Sequence, residues 1–450
     1  MAVSVVDQLR ESDKAFHLHP FTDHADMYKT GTHIVHSGEG IYVVDETGKK
    51  LIDGLAGLWC VNVGYGCSEI VEAVTKQMNT LAFYPSFFNS TTEPTIMLSE
   101  KLAKLAPKRL NRTFFSNSGS EANETALKAI RAYYKLKGEE GRQKIICRKF
   151  AYHGVTMATA SLTGLANCHG LFSLPLSGYF HAPAPYPYFE NSPMDEESYG
   201  QWCIEETEKL ILAEDPKTIA AIFCEPIQGA GGVIVPPVSY LKALRGLARK
   251  YDLLFVADEV ISGFGRLGDW FASNLFDLDP DIMTMAKGIT SGYLPMGATM
   301  ISDEMAEVLI KGGNFAHGFT YSGHPSVAAA ALANIEYISK HKLVEYVRDE
   351  VGPYFQKKLW ALKDHAAVGN VRGYGLIGAL ELVPIGGRQA IVPNSNIGLK
   401  AAGICREEGV IVRGIRDAIA MSPPLVITKA EIDAMFAGIE RALDRHLANG

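Results

Sequence analysis

Between about residues 111 and 302, short and continuously apolar segments alternate with segments of helical periodicity, which constrains the fold more than any other feature. Continuously apolar runs are typical of strands buried on both faces, as in parallel sheets covered by helices. The predicted strands are 112–116, 144–147, 219–224, 253–257, 282–285 and 296–301. Between them, residues 121–136 show apolar side chains at three- and four-residue spacing. The sequence therefore predicts an α/β fold with a mostly parallel sheet.

The segments outside this alternation predict smaller elements. Residues 40–53 alternate around the turn Asp45-Glu46-Thr47-Gly48, which predicts a hairpin. Residues 179–193 are rich in proline and tyrosine, so we expect an irregular loop there. From about Ala328 onward, two long amphipathic helices should precede mixed α and β elements. A length of 450 residues suggests two or three domains.

Composition limits the compartment and the class of partner. The net charge of −7 offers no attraction to nucleic acid or to an anionic membrane surface, so neither is expected as a partner. Nowhere does an uncharged apolar run reach the roughly 18 residues that a membrane span requires. The seven cysteines are odd in number, scattered and without a C-x-x-C pair, which favours a reducing compartment. We therefore expect a cytoplasmic protein.

Two further patterns resemble cofactor or metal motifs but lack the context that those motifs require. G-x-G-x-x-G occurs at 263–268 and at 373–378, but neither copy joins a strand to a helix as a dinucleotide fingerprint must. The thirteen histidines show no recognised spacing of metal ligands, and pairs such as His17 and His19 lie in loop-like contexts. We expect neither a nicotinamide cofactor nor a metal.

Three features lie at the predicted ends of core strands, where open α/β sheets form their ligand crevice. Ser118-Gly119-Ser120 separates a strand from a helix, as in a phosphate cradle, although an ordinary helix cap would look the same. Asp258 ends an apolar strand, and either a cationic ligand or an ion pair with Arg266 would satisfy it. Lys287 follows the next strand; desolvation there would lower its pKa, whereas a surface lysine is the ordinary alternative.

These three features together meet the requirements of pyridoxal phosphate (PLP), which interconverts with its pyridoxamine form (PMP). The cofactor needs an anchor for its phosphate, a partner for its pyridinium nitrogen and a lysine for Schiff-base formation. The combination is much more specific than any of its parts.

The sequence resembles the class III aminotransferases of fold type I and, among them, the amine:pyruvate (omega) transaminases, including the putrescine–pyruvate type. The matching motifs are GLAGLWCVNVGYG (54–66), FFSNSGSEAN (114–123), AYHGVT (151–156), EPIQGAGGVIVPP (225–237), ADEVISGFGRLG (257–268), AKGITSGYLPMGA (286–298) and HGFTYSGHP (317–325). The resemblance implies a seven-stranded, mostly parallel sheet in a large domain at 76–328. Residues 1–75 and 329–450 would form a smaller α+β domain.

The resemblance also implies residue roles. Lys287 would bind the cofactor covalently and move the substrate's proton, Asp258 would pair with the pyridine nitrogen, and Tyr152 would stack on the ring. The other cofactor-binding candidates are Ser118, Gly119, Ser120, His153, Glu225, Val260 and Thr320. Thr320 would reach across from a neighbouring subunit, so we expect a homodimer with composite sites, while a tetramer stays open.

The implied reaction moves an amino group from a primary amine to a keto acid, pyruvate, by a ping-pong mechanism. Donors such as putrescine, another polyamine or an aryl-alkyl amine stay open. The candidate pocket walls are Phe21, Leu58, Trp59, Phe88, Tyr152 and Ile261. An arginine before the Pro-Pro pair would bind the acceptor carboxylate; Arg413 is favoured over Arg416. The alternatives are a β-alanine or omega-amino-acid transaminase, an aminomutase, a dialkylglycine-type decarboxylase, or a non-catalytic protein of the same fold.

Overall fold

The computed structural model describes residues 4–384 and 396–448, and a seven-stranded sheet lies at its centre. The strand order is β4-β10-β9-β8-β7-β5-β6. The strands are β4 (Leu110–Ser116), β5 (Lys144–Arg148), β6 (Tyr179–Ala182), β7 (Ile219–Cys224), β8 (Leu254–Asp258), β9 (Ile282–Met285) and β10 (Gly297–Ser302). Strand β10 runs antiparallel to β4 and β9, whereas all other pairs are parallel. The predicted α/β class and all six predicted strands are confirmed.

The predicted loop at 179–193 is wrong in its first four residues. They form the edge strand β6, which pairs in parallel with β5. The prolines all follow the strand, beginning at Pro183, so none of them removes a backbone donor from it. A four-residue edge strand gives too short a pattern to be recognised in a proline-rich context.

Two smaller sheets flank the central one. The first has the order β1-β2-β3-β13 and joins the two halves of the chain, because β13 pairs in parallel with β3. The second has the order β11-β12-β15-β14 and is antiparallel throughout. The strands are β1 (Val35–Glu39), β2 (Tyr42–Asp45), β3 (Lys50–Asp53), β11 (Val368–Tyr374), β12 (Ile377–Leu382), β13 (Val410–Ile411), β14 (Arg413–Ile415) and β15 (Ala418–Met421). The β2–β3 pairing confirms the predicted hairpin. The domain boundaries at 75 and 328 stay predictions.

Helices cover the sheets and connect the strands. They are α1 (Val5–Phe16), α2 (His24–Thr30), α3 (Ala56–Trp59), α4 (Ser68–Leu81), α5 (Glu93–Leu105), α6 (Gly119–Leu136), α7 (Met157–Leu162), α8 (Glu196–Ala213), α9 (Val238–Lys250), α10 (Ala272–Leu275), α11 (Asp303–Lys311), α12 (Pro325–Lys340), α13 (Leu343–Tyr346), α14 (Gly352–Ala361), α15 (Ile397–Glu407) and α16 (Lys429–Ala448). Of the two long helices expected after Ala328, the first is α12. The second is interrupted by a π-helical turn between α13 and α14. Within the described ranges, no helix is long and apolar enough to cross a membrane.

The parallel pairing of β7, β8 and β9 determines where the site forms. Cys224 lies opposite Ala257, and Asp258 lies opposite Thr284, so the three strands end at nearly the same level. The residues that follow these ends therefore meet at one edge of the sheet.

Candidate functional site

Asp258 is the buried carboxylate at the end of β8, and neutral or weakly basic groups satisfy it. Its Oδ2 accepts a hydrogen bond from Asn123 Nδ2 at 2.8 Å and lies 2.8 Å from His153 Nδ1. Its Oδ1 accepts from the backbone N–H of Val260 at 3.1 Å. These contacts meet the need of a buried carboxylate for hydrogen-bond partners and leave the strand end preorganised.

The alternative in which Arg266 pairs with Asp258 is wrong. Arg266 is fully buried and donates instead to Asn62 Oδ1 at 2.9 Å and to the carbonyl oxygens of Leu376 and Pro423. Its burial lowers the pKa of the guanidinium to about 9. Arg266 therefore ties the central sheet to the C-terminal part of the chain.

Asn123 completes the Asp258 network, although in the sequence it stands out only as part of the motif FFSNSGSEAN. Its Nδ2 also donates to the carbonyl oxygen of His153 at 2.8 Å, and its Oδ1 accepts from Thr284 Oγ1 at 2.9 Å. The signal was an asparagine among alanines on the buried face of α6, where an unpaired amide would be costly. Such a residue is expected to hold a specific polar partner.

Lys287 lies just after β9, partly buried in the crevice. Its backbone is left-handed, with φ of 47°, a strained conformation for a residue with a Cβ atom. Burial lowers the pKa of its amine, while Asp258 and Glu225 oppose that shift. Its Nζ lies 5.8 Å from the centroid of the Trp59 ring. The lowered pKa increases the share of the neutral, nucleophilic amine near neutral pH.

Glu225 follows β7 and is buried beside Asp258. Its Oε1 accepts from the backbone N–H of Tyr152 at 2.9 Å, and its Oε2 accepts from that of Gly229 at 3.2 Å. Burial raises the pKa of Glu225 to about 7. This carboxyl group therefore holds the two loops that carry Tyr152 and Gly229.

The predicted phosphate cradle is the start of α6. Ser118 is the N-cap, and its Oγ accepts from the backbone N–H of Glu121 at 3.2 Å. Ser120 Oγ accepts from the N–H of Val155 at 3.2 Å. A Cβ atom on Gly119 would lie 3.2 Å from both methyl carbons of Val260, so the backbone passes close beside that side chain. The N-terminal end of this 18-residue helix favours an anion.

Of the predicted pocket walls, Trp59 is the one whose ring lies close to Lys287, whereas Phe21 is 73% exposed and contacts Tyr152. Trp59 is 2% exposed, and the Phe21 ring lies edge-on to Tyr152 with centroids 6.5 Å apart. Ile261 packs beside Gly229, where an added Cβ atom would come within 2.4 Å of its Cδ1. In contrast, Phe88 is 95% exposed and contacts the Phe87 ring. Two other candidates, Leu58 and Thr320, are exposed to solvent.

The two candidate arginines have different surroundings. Arg413 begins β14, and its guanidinium carbon lies 4.8 Å from the centroid of the Trp59 ring, which Lys287 also faces. Arg416 instead lies over the rings of Phe150 and Phe189, at 5.0 and 5.4 Å. Its Nη2 donates to the carbonyl oxygen of Gly231 at 2.7 Å. Of the two side chains, Arg413 is thus the one placed beside the indole that Lys287 faces.

Comparison with known proteins identifies the family. The family model described as Aminotransferase class-III matches residues 25–443. A putrescine–pyruvate aminotransferase of Pseudomonas aeruginosa is 44% identical over 96% of this chain and 95% of that protein. An omega transaminase of Pseudomonas jessenii, solved in complex with PMP, superposes with a TM-score of 0.94 at 40% identity, over 98% of both chains. An (S)-enantioselective omega-transaminase of Thermomicrobium roseum gives a TM-score of 0.95 at 41% identity, covering 99% of this chain and 100% of that one.

Proposed function

This chain is a class III, PLP-dependent aminotransferase, and from that premise we propose that it moves the amino group of a primary amine to pyruvate. Putrescine is the first donor to test, since it is named for the relative at 44% identity. One observation carries the proposal: Lys287 and Arg413 lie 5.8 and 4.8 Å from the same Trp59 ring. A reactive amine and a binding group for a carboxylate thus share one aromatic wall, as a keto-acid acceptor requires.

The residues present fit the cofactor. Gln228, three residues after Glu225, is fully buried; its Nε2 donates to the Lys149 carbonyl oxygen, and its Oε1 has no hydrogen-bond partner in the described part of the chain. Such an unpaired buried acceptor suits a hydroxyl donor like that on the pyridine ring. The start of α6 would hold the phosphate, and Asp258 would face the ring nitrogen. We propose that Tyr152, His153 and Val260 contact the ring, with Glu225 in a supporting role.

The chain's own groups would then handle the protons. When bound, the cofactor supplies an electron sink for the negative charge left on the substrate carbon. Lys287, with its lowered pKa, takes up and returns that carbon's proton as a general base and acid. Asp258, held by Asn123 and His153, would place its carboxylate beside the ring nitrogen. Stabilising the charge that develops in this way is usually the largest contribution a protein makes to such a reaction.

Selection between donor and acceptor would depend on Arg413. Trp59, Tyr152, Phe21 and Ile261 would form apolar walls around the carbon chain of an amine, and the Phe21 ring lies against Tyr152. The guanidinium of Arg413 would bind the carboxylate of pyruvate, and an arginine that swings away from Trp59 would leave the same space to an uncharged chain. Arg416 would keep its loop in place instead.

We also propose a homodimer in the cytoplasm, and a tetramer stays open. Phe88 is 95% exposed, and burial against a second copy would remove its apolar ring from water; Thr320 is also exposed. Thr320 would then contribute to the site of the neighbouring subunit. All seven cysteines are free thiols, in keeping with a reducing compartment.

The test is an absorbance spectrum of the purified holoenzyme, recorded before and after adding putrescine and then pyruvate. We expect the visible band of the bound cofactor to fall with putrescine and to return with pyruvate, with alanine as the product. A band that putrescine leaves unchanged would overturn that donor and redirect the search to other amines and omega-amino acids. A protein that shows no band even with added PLP would contradict the role of Lys287.

A further inference from the structure

Outside the candidate active site, three side chains that commonly bind metals meet at the end of α1. Asp13 Oδ1 lies 3.2 Å from His17 Nδ1 and 2.9 Å from His19 Nε2. The two imidazole rings lie with their centroids 4.0 Å apart. One ligand atom from each side chain can therefore be found within 4.8 Å of the other two.

Although the histidine spacing predicted no metal, we propose from this cluster that Asp13, His17 and His19 bind a divalent transition-metal ion of the Zn²⁺ type. Two imidazole nitrogens and one carboxylate oxygen suit Zn²⁺, Cu²⁺ or Ni²⁺ better than Mg²⁺ or Ca²⁺, which prefer oxygen ligands alone. Tetrahedral ligands about 2.0–2.1 Å from Zn²⁺ lie roughly 3.3–3.4 Å from one another. The two separations from Asp13, 2.9 and 3.2 Å, are close to that value, and one ligand atom of each residue lies within 4.8 Å of the other two.

Groups outside the cluster hold its ligands in place. Thr32 Oγ1 donates to Asp13 Oδ2 at 2.6 Å, which orients the carboxylate. His24 Nε2 accepts from the backbone N–H of His19 at 3.0 Å, which fixes the chain at the third ligand. The side chain of His17 is 59% exposed, so solvent can deliver the ion and supply the fourth ligand. The C-terminal end of the 12-residue helix α1 also favours a cation.

The position of the cluster gives the ion a structural consequence. His19 precedes Phe21 by two residues, and the Phe21 ring lies against Tyr152. A metal would cross-link α1 to this segment and restrain residues 17–24. We expect it to order the chain beside the candidate pocket without touching Lys287.

The experiment is a calorimetric titration of the untagged, PLP-loaded full-length protein with ZnCl₂. One equivalent per chain should bind, and His19→Ala or Asp13→Asn should each weaken binding at least tenfold. His36→Ala is the matched control, because His36 is an exposed histidine in the same N-terminal region but outside the cluster; it should bind like the wild type. Hydrogen exchange of residues 17–24 should slow when Zn²⁺ is added to the wild type and stay unchanged in His19→Ala.

Three outcomes would overturn the proposal: no binding of Zn²⁺, binding that survives both ligand substitutions, or equal losses in His19→Ala and His36→Ala. Each variant is shown to be folded by a melting temperature and a visible cofactor band like those of the wild type. Thr32→Val gives a second, milder variant that keeps all three ligands and should weaken binding less than Asp13→Asn does. The measurement is independent of transaminase activity, so it can fail while the proposed function holds.

Discussion

Replacing Arg413 by methionine is expected to damage only the half of the reaction that uses pyruvate. Burial lowers the pKa of this guanidinium, and the phenol of Tyr152, rather than a carboxylate, is the group that partly opposes the shift. Among the described residues, the Arg413 guanidinium contacts the Trp59 ring and donates no hydrogen bond, so its donors are available to a substrate. Hydrogen bonds to charged groups contribute about 1.5–3 kcal/mol each, so a bidentate contact at this half-buried position is worth about 3 kcal/mol. That energy corresponds to a loss of roughly 100-fold in kcat/KM for pyruvate.

The assay is a stopped-flow comparison of the two half-reactions by the visible cofactor band. In Arg413→Met, the step with putrescine should keep a rate within about threefold of the wild type, because that donor carries no carboxylate. The step with pyruvate should slow about 100-fold, while an aldehyde acceptor of similar size should be little affected. Equal losses with pyruvate and with the aldehyde would refute the reasoning, because they would indicate general damage to the pocket.

Arg416→Met is the matched control for this prediction. It removes the hydrogen bond to Gly231 and the contacts with Phe150 and Phe189, so the variant should lose about 1–3 kcal/mol of unfolding free energy. Its KM for pyruvate should change less than that of Arg413→Met. If the pyruvate-specific loss occurs in Arg416→Met instead, the assignment of the two arginines is reversed.

Three further predictions concern the network around Asp258. Lys287→Ala should lack the visible band of the covalently bound cofactor, and an absorbance titration with putrescine should therefore show no fall in that band. Lys128→Ala, on the exposed face of α6, should keep both the band and its fall with putrescine. Asn123→Ala leaves buried partners unsatisfied and should lower the unfolding free energy by about 1–3 kcal/mol in urea; no change would mean that water replaces the amide. The pKa of Glu225 is raised to about 7, so the folded protein binds this proton more tightly than the unfolded chain does. Protonated Glu225 therefore favours folding at low pH, and that contribution to stability disappears as the pH rises from about 4.5 to 7. The difference in unfolding free energy between cofactor-free Glu225→Gln and the cofactor-free wild type should therefore shift in favour of the variant between pH 5 and pH 8, by at most about 3 kcal/mol. The same difference in melting temperature at both pH values would contradict this.

The sequence by itself determined the α/β class, six of the seven central strands and the residues that follow their ends. Those features are local, since an apolar run marks a strand buried on both faces and parallel neighbours must end at one edge. Asp258 and Lys287 could therefore be placed together before any contact was known. The family motifs supplied their expected roles, because such motifs record chemistry that spacing alone does not.

Only the tertiary structure decided which groups touch across long sequence separations. Asp258 meets Asn123 and His153 rather than Arg266, and Trp59 meets Arg413, although more than 100 residues separate each pair that is in contact. Arg413 and Arg416 stand three residues apart with equal chemistry, and their surroundings differ because β14 aims one at Trp59 and leaves the other to Gly231. No local pattern encodes such contacts. They follow from the packing of the C-terminal sheet against the crevice, which depends on the whole chain.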